Sequence, residues 1–292
     1  MATLRELKAR IGSVASSEKI TGAMKMISSA KMHKAELALR QLKPYRNQVE
    51  TIIANLLSSD VDFVSPLMER REVKSIAVTI LGSDDGLCGA YNVNIYKQLL
   101  VKLDELKATY PSAALTLLPV GSKIAKQVVK LAGSDIKVNT DNCIDSKSDE
   151  ISVKMFTTAL KDSFMKGEYD LILVLSTHFY SVSRQRIESQ QILPVEASAL
   201  NTSNHSVTIK PYIFEPSARA IVETVLPLYQ IAVMQDLFTQ NRASEQAARV
   251  MAMQSANDNA KKLLESLQLE FNKLRQQSIT SELLDIVGGQ IR

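Results

Sequence analysis

Two runs of helical periodicity bracket the chain. From residue 3 to about 58, apolar side chains recur at steps of three and four: first Leu4, Leu7, Ile11 and Val14, then Leu42, Tyr45, Val49, Ile52 and Leu56. That period places them on one face of a helix and predicts a single α-helix over the span. Between the two runs the stripe is built of small and flexible residues, "TGAMKMISSAKMHKA". Pro44 removes one backbone donor inside the pattern, which predicts a bend there. At the other end, no Gly or Pro occurs between Pro227 and Gly288. There Val250, Met253, Asn257, Ala260, Leu264, Leu267, Phe271, Leu274 and Ser278 alternate steps of three and four, the seam of a coiled coil. A seam of that length needs a partner helix, and the N-terminal run is the one of similar length. The chain is therefore expected to close on itself as a long antiparallel pair of its two terminal helices.

Between them the pattern alternates. "VKSIAVTIL", "ALTLLPV", "YDLILVLST" and "RIESQQILPV" read as strands; "VNIYKQLLVKL", "GSKIAKQVVKLA" and "DEISVKMFTTALKDSFMKG" read as helices. Such alternation predicts an inserted α/β domain with a mainly parallel sheet and helices on its faces. "NTSNHS", 201–206, reads as a polar loop, and Ser217 after Pro216 as the cap of the last helix. The division is 1–60 for the first helix, 70–206 for the α/β domain and 207–292 for the returning helix.

Composition narrows the classes. No apolar run approaches the ~20 residues of a membrane span, and the charged start "MATLRELKAR" lacks the apolar core of a secretion signal. Cys88 and Cys143 have no metal-ligand spacing, and His33, His178 and His205 fall in unrelated segments, so no metal site is expected. The net charge of +4 is unevenly spread: ten cations against three acids up to Arg46 give +7, which leaves −3 for the rest. A basic segment admits a nucleic-acid partner, but no aromatic residue precedes Tyr45 to interleave the lysines with stacking platforms.

The one stretch that looks like chemistry is "GSDDGLCGAYN", 82–92, a glycine-rich turn between a strand and a helix. Gly82, Gly86 and Gly89 are spaced G-x3-G-x2-G, which is not the dinucleotide fingerprint, and no Lys-Ser or Lys-Thr pair follows as in a phosphate loop. Asp84 and Asp85 stand where a phosphate would arrive. The reading is a tight structural turn whose glycines, Gly86 among them, supply positive φ and close packing. No nucleotide or other cofactor is expected there.

The same loop resembles the "GSDRGLCGxxN" signature of the gamma subunit of F-type ATP synthases. "EKITGAMKMISSAKMHKA" is similar to that family's N-terminal block. "ASEQAARVMAMQSANDNAKKLLESLQLEFNKLRQQSITSELLDIVGG" is similar to its C-terminal signature. The resemblance spans essentially the whole chain. It departs at Asp85, where the family usually has Arg, and at Gly22, where it often has Lys.

The resemblance implies a fold and a task. The terminal helices would form a central shaft with a Rossmann-like α/β domain at its base. The chain would be the rotor of a proton- or sodium-translocating complex, with no catalytic residue and no nucleotide site of its own. Its implied partners are three α and three β subunits per copy, an epsilon subunit and a membrane c-ring. It would sit peripherally on the cytoplasmic side of the cell inner membrane, held there through the complex. Shaft contacts with the catalytic subunits map to Lys19, Met24, Lys31, Arg249, Arg275, Gln276, Thr280 and Glu282, and contacts with ring and epsilon to Tyr212, Phe214 and Glu215. For Arg249, Gln276, Thr280 and Glu282 the contact is with those subunits or across the two helices. Spacing alone also admits a solvated helix face for these residues, seam packing for Met24 and an ordinary strand end for the last three. The rival reading of the whole chain is a non-rotating coiled-coil adaptor with an α/β head.

Overall fold

The computed structural model describes residues 3–57, 65–133, 135–141, 144–196, 215 and 217–289. Helix α1 spans Leu4–Leu57 and carries Pro44 within it. Its start is a reciprocal cap: Thr3 N donates to Glu6 Oε2 at 2.9 Å and Glu6 N donates to Thr3 Oγ1 at 3.3 Å. Then follow β1 (Ser75–Leu81), α2 (Tyr91–Thr109), β2 (Ala114–Val120), α3 (Ser122–Val128), β3 (Ile136–Val138), α4 (Glu150–Met165), β4 (Leu171–Phe179), β5 (Gln185–Leu193) and α5 (Ala218–Gly289). Ser217 caps α5, its Oγ accepting from Ala220 N at 3.3 Å.

The sheet order is β3-β2-β1-β4-β5, parallel except for the antiparallel β4–β5 pair. The three-residue β3 was not among the expected strands; it is too short to show a period of two. Along β1, Ile76, Val78 and Ile80 face α2 and α3, meeting Ile95, Leu99, Leu103, Ile124 and Val128. Ala77 and Leu81 face the other way, with Ile172 and Val174 of β4. That second face is covered by Leu160 and Phe164 of α4 and by the roots of both long helices, Val49 and Ile53 of α1 and Leu226, Val233 and Phe238 of α5. Each such side chain, fully buried, contributes about 1.5–3 kcal/mol. The long helices are thus part of the sheet's own core at one end.

Beyond the sheet the two helices pair with each other. Arg46 of α1 meets Asp236 of α5, while Glu18, earlier in α1, meets Asn257, later in α5, so the pair is antiparallel. All nine expected seam residues from Val250 to Ser278 are buried or half-buried. At 1.5 Å per residue, α1 is about 81 Å long and α5 about 108 Å. Continued from the Glu18–Asn257 contact, α1 reaches its start opposite residue ~271 of α5, and α5 runs on past it.

Two expectations are corrected. In the second stripe of α1, Tyr45 and Ile52 are 45% and 46% exposed, and the residue facing inward between Leu42 and Val49 is Arg46. The step Leu42–Arg46–Val49–Ile53 has the same period, and a buried acid on α5 selects it. Arg46 donates through Nε to Glu50 at 2.8 Å and pairs through Nη1 with Asp236, whose side chain is 9% exposed. The second correction concerns hydropathy. One 18-residue window of α5, mean hydropathy 1.2, is long and apolar enough by composition to cross a membrane; 56% of it is buried inside the fold.

Removing the arginine from the Glu50–Arg46–Asp236 group leaves two acids without their cation at low exposure. Arg46→Met should destabilise the chain by about 3 kcal/mol, and Arg46→Met with Asp236→Leu should recover part of that loss. Denaturant midpoints for the two variants check this; equal midpoints for wild type and Arg46→Met would show that the ion group contributes nothing.

Candidate functional site

The inward stripe of α5 continues past Leu237 as Asn241, Ser244 and Ala248, so polar side chains take over where the helix passes the ends of β1 and β4. Each one is used. Asn241 Nδ2 donates to Gly82 O at 3.0 Å, and its Oδ1 accepts from Tyr91 OH at 2.8 Å. Ser244 Oγ donates to Thr177 O at 3.1 Å. From the flank, Arg242 Nη2 donates to Ser148 O at 2.7 Å and Nε to Ser146 O at 3.3 Å. About two turns beyond, Arg249 donates through Nε to Gly86 O at 3.1 Å and through Nη2 to Asp85 O at 3.2 Å. Arg249 Nη2 also pairs with Glu245 at 2.7 Å, their side chains 6% and 3% exposed. Burial pushes the Glu245 carboxyl upward, and the Arg249 guanidinium opposes it. Burial likewise pushes the Tyr91 hydroxyl up, so it stays a donor.

The location explains the resemblance to a nucleotide site. β1 lies between β2 and β4, at the point where the strand order reverses, and in open α/β sheets the crevice outside that point receives ligands. Here α5 fills the crevice. A phosphate cradle offers loop amides to an anion; this loop offers carbonyls to an arginine and an asparagine. Its polar side chains are engaged as well. Asn92 Oδ1 accepts from Ser83 N at 3.2 Å, and Asn92 Nδ2 donates to Ser83 Oγ at 2.7 Å. The Asp84 carboxylate accepts from Ser122 N and Ser146 N, both at 2.8 Å, and from Ser146 Oγ at 2.7 Å. Asp85 pairs with Lys147 at 2.8 Å, and that hydrogen bond holds its carboxyl below the usual range. The two acids fasten the loop to its neighbours.

The glycines divide differently from the expectation. A Cβ on Gly82 would lie 2.4 Å from Ile124 Cγ2, and Gly89 has φ +61°. Gly86 is outside the left-handed region and its nearest neighbour would be Lys123 Cε at 3.8 Å. The residue beside it, Leu87, takes the positive φ, 63°. Gly86 is needed for neither reason given for it.

The other expected residues do not gather into one site. Lys19 and Lys31 are exposed and Met24 half-buried along α1, and Arg275, Gln276, Thr280 and Glu282 are exposed near the end of α5. Thr280 Oγ1 returns to Gln276 O of its own helix at 2.9 Å, and Glu282 Oε1 accepts from Ser278 Oγ at 3.4 Å. Polar links across the two helices are made instead by Asn257 and, at the root, by Arg46 with Asp236. Arg249 lies inside the fold, bound to the loop and to its own helix. Tyr212 and Phe214 lie outside the described residues; Glu215 is exposed. Asn241, Arg242, Ser244 and Tyr91 were missed as functional candidates. The signal was present in the first and third, polar residues at positions the apolar stripe of α5 should occupy.

The comparisons agree over the whole length. The family model described as ATP synthase matches residues 3–290. An ATP synthase gamma chain from Phocaeicola vulgatus is 39% identical over 291 residues, covering 100% of both chains. One from Bacteroides fragilis is 38% identical over 295 residues, again covering 100% of both. Among solved structures, a chain of the Euglena gracilis mitochondrial ATP synthase (OSCP/F1/c-ring, rotational state 3) is similar at TM-score 0.63 and 18% identity, covering 98% of this chain and 93% of that one. A chain of the Tetrahymena thermophila mitochondrial ATP synthase (central stalk/c-ring) is similar at 0.54 and 22%, covering 81% and 99%.

Gly86→Ala should leave the melting temperature nearly unchanged, whereas Gly82→Ala should cost about 1–3 kcal/mol through overpacking against Ile124. Arg249→Met should leave the helix intact and free the loop, seen as faster amide exchange at residues 84–88. Equal tolerance of alanine at 82 and 86 would contradict the placement of the glycines.

Proposed function

The chain belongs to the gamma-chain family of ATP synthases, and from that premise we propose that it is the central rotor shaft of an F-type complex. It couples rotation of a proton- or sodium-driven membrane ring to ATP synthesis or hydrolysis in three catalytic β subunits. It is a non-catalytic subunit: it binds no nucleotide and transmits torque by contact. In this reading 1–60 and 207–292 are the shaft and 70–206 the base. Partners are three α and three β subunits per copy along the shaft, with an epsilon subunit and the c-ring at the base. The whole is peripheral to the cell inner membrane on its cytoplasmic side.

The observation that carries the proposal is the fastening of α5 to the sheet. A shaft that slips in its base delivers no work, and here Asn241, Arg242, Ser244 and Arg249 bind backbone oxygens of three separate segments of the base. Above the root, the helix pair exposes apolar side chains: Met26 and Ile27 on α1, and Leu269, Leu283, Leu284 and Ile286 on α5. Leu284, at 67% exposed, lies where α5 has outrun α1. Such a tip suits an apolar sleeve. Apolar contact is non-directional, which suits a rotor: an orientation preferred by 1.4 kcal/mol would slow escape from it about tenfold. The exposed Lys19, Lys31, Arg275, Gln276, Thr280 and Glu282, with half-buried Met24, provide the contacts that differ with angle. Tyr212, Phe214 and Glu215 are assigned to the ring and epsilon. The adaptor reading has no observation in its favour beyond the coiled coil itself.

Reconstitution with α and β subunits tests the proposal. The chain should restore ATP hydrolysis when bound at one copy per three catalytic subunits, and titration calorimetry of the chain alone should detect no ATP binding. Assembly that leaves turnover at its starting level, or one copy on every β subunit, would overturn it.

A further inference from the structure

Asn257 is the buried polar residue of the seam, 8% exposed, and it sits against the mid-helix glycine of α1. Its Nδ2 donates to Glu18 O at 2.7 Å, with Thr21 Oγ1 at 3.4 Å from the same nitrogen. Glu18 O also accepts the helical bond from residue 22 and one from Thr21 Oγ1 at 3.0 Å, so the asparagine joins other donors on this one carbonyl. A Cβ at position 22 would lie 3.3 Å from that Nδ2. Glycine is what leaves the carbonyl open to approach.

Both choices are poor for stability on their own. Glycine inside a helix is less stable than alanine, and a polar residue at a seam position lowers coiled-coil stability while fixing register. They meet at one point, where each makes sense only with the other. A purely apolar seam resists sliding through side-chain fit alone; an amide bound to one particular carbonyl is satisfied in one register only. The contact also lies above the root, where Arg46 and Asp236 tie the same two helices.

We propose that Gly22 and Asn257 form a register lock that keeps α1 and α5 from sliding past each other under load, so that the two helices turn as one body. Asn257 and Gly22 are positioning residues, and the inference rests on the rotor reading. The lock exists for coupling and lowers stability.

The test uses the assembled complex in membrane vesicles, with Asn257→Leu and Gly22→Ala measured separately. Leucine completes the apolar seam and alanine improves the helix, so each variant subunit should melt at or above the wild-type temperature. Both complexes should still hydrolyse ATP, yet move fewer ions per ATP than wild type. Variants that melt lower while moving as many ions per ATP would show an ordinary packing contact and overturn the lock. Variants that melt higher with unchanged coupling would overturn it equally. A wild-type complex that fails to move ions on ATP hydrolysis would instead sink the rotor reading, and the lock with it.

Discussion

Everything in this molecule depends on the apolar seam between its first and last helices. A helix of 72 residues with one apolar stripe gains little by folding alone, because tertiary burial supplies most helical stability. Each terminal helix is therefore the other's solvent shield, and neither is formed without the return of the whole chain. The sheet is inserted between the partners, and the same two helices complete its core through Val49, Ile53, Leu226, Val233 and Phe238. Shaft and base share one hydrophobic core at the root, so a torque applied to either meets packed side chains rather than a hinge.

That sharing has a second consequence. The crevice at the reversal point of the strand order, where an open α/β sheet ordinarily receives a ligand, is filled by the chain's own helix. The glycine-rich loop keeps the outline of a phosphate site and inverts its polarity, with carbonyls of Gly82, Asp85 and Gly86 facing donors from α5. Buried Glu245 neutralises the arginine that makes two of those bonds. A fold suited to gripping a nucleotide here grips its own shaft.

Much of this was legible in the sequence because the dominant signals are long. Nine seam positions in strict alternation define α5 beyond its neighbours' noise, and β1, β2 and β4 announce themselves as largely apolar runs. The loop's failure to match either phosphate fingerprint was equally readable. What could not be read was pairing at the scale of single residues. Tyr45 and Arg46 lie on adjacent positions of a stripe, and only the acid at position 236 decides which faces in. Gly86 looked indispensable because its neighbours are glycine-spaced, whereas the backbone places the left-handed residue at Leu87. Arg249 resembled a surface contact because charge is usually outside; the carbonyls that hold it inside come from 164 and 163 residues away. β3 carried no signal at all.

The central claim is rotation: one shaft visits three catalytic partners in turn, without preferring any. It can be tested by a cysteine at the exposed Lys31 position and one on the facing segment of β, joined by oxidation in an assembled complex with a radiolabelled subset of β subunits. The bond should stop hydrolysis and its reduction should restore it. After reduction, ATP turnover and reoxidation, the account predicts that the shaft cysteine is found joined to β subunits other than its first partner. Re-pairing with the first partner alone, despite turnover, would contradict it and make the chain a fixed tether.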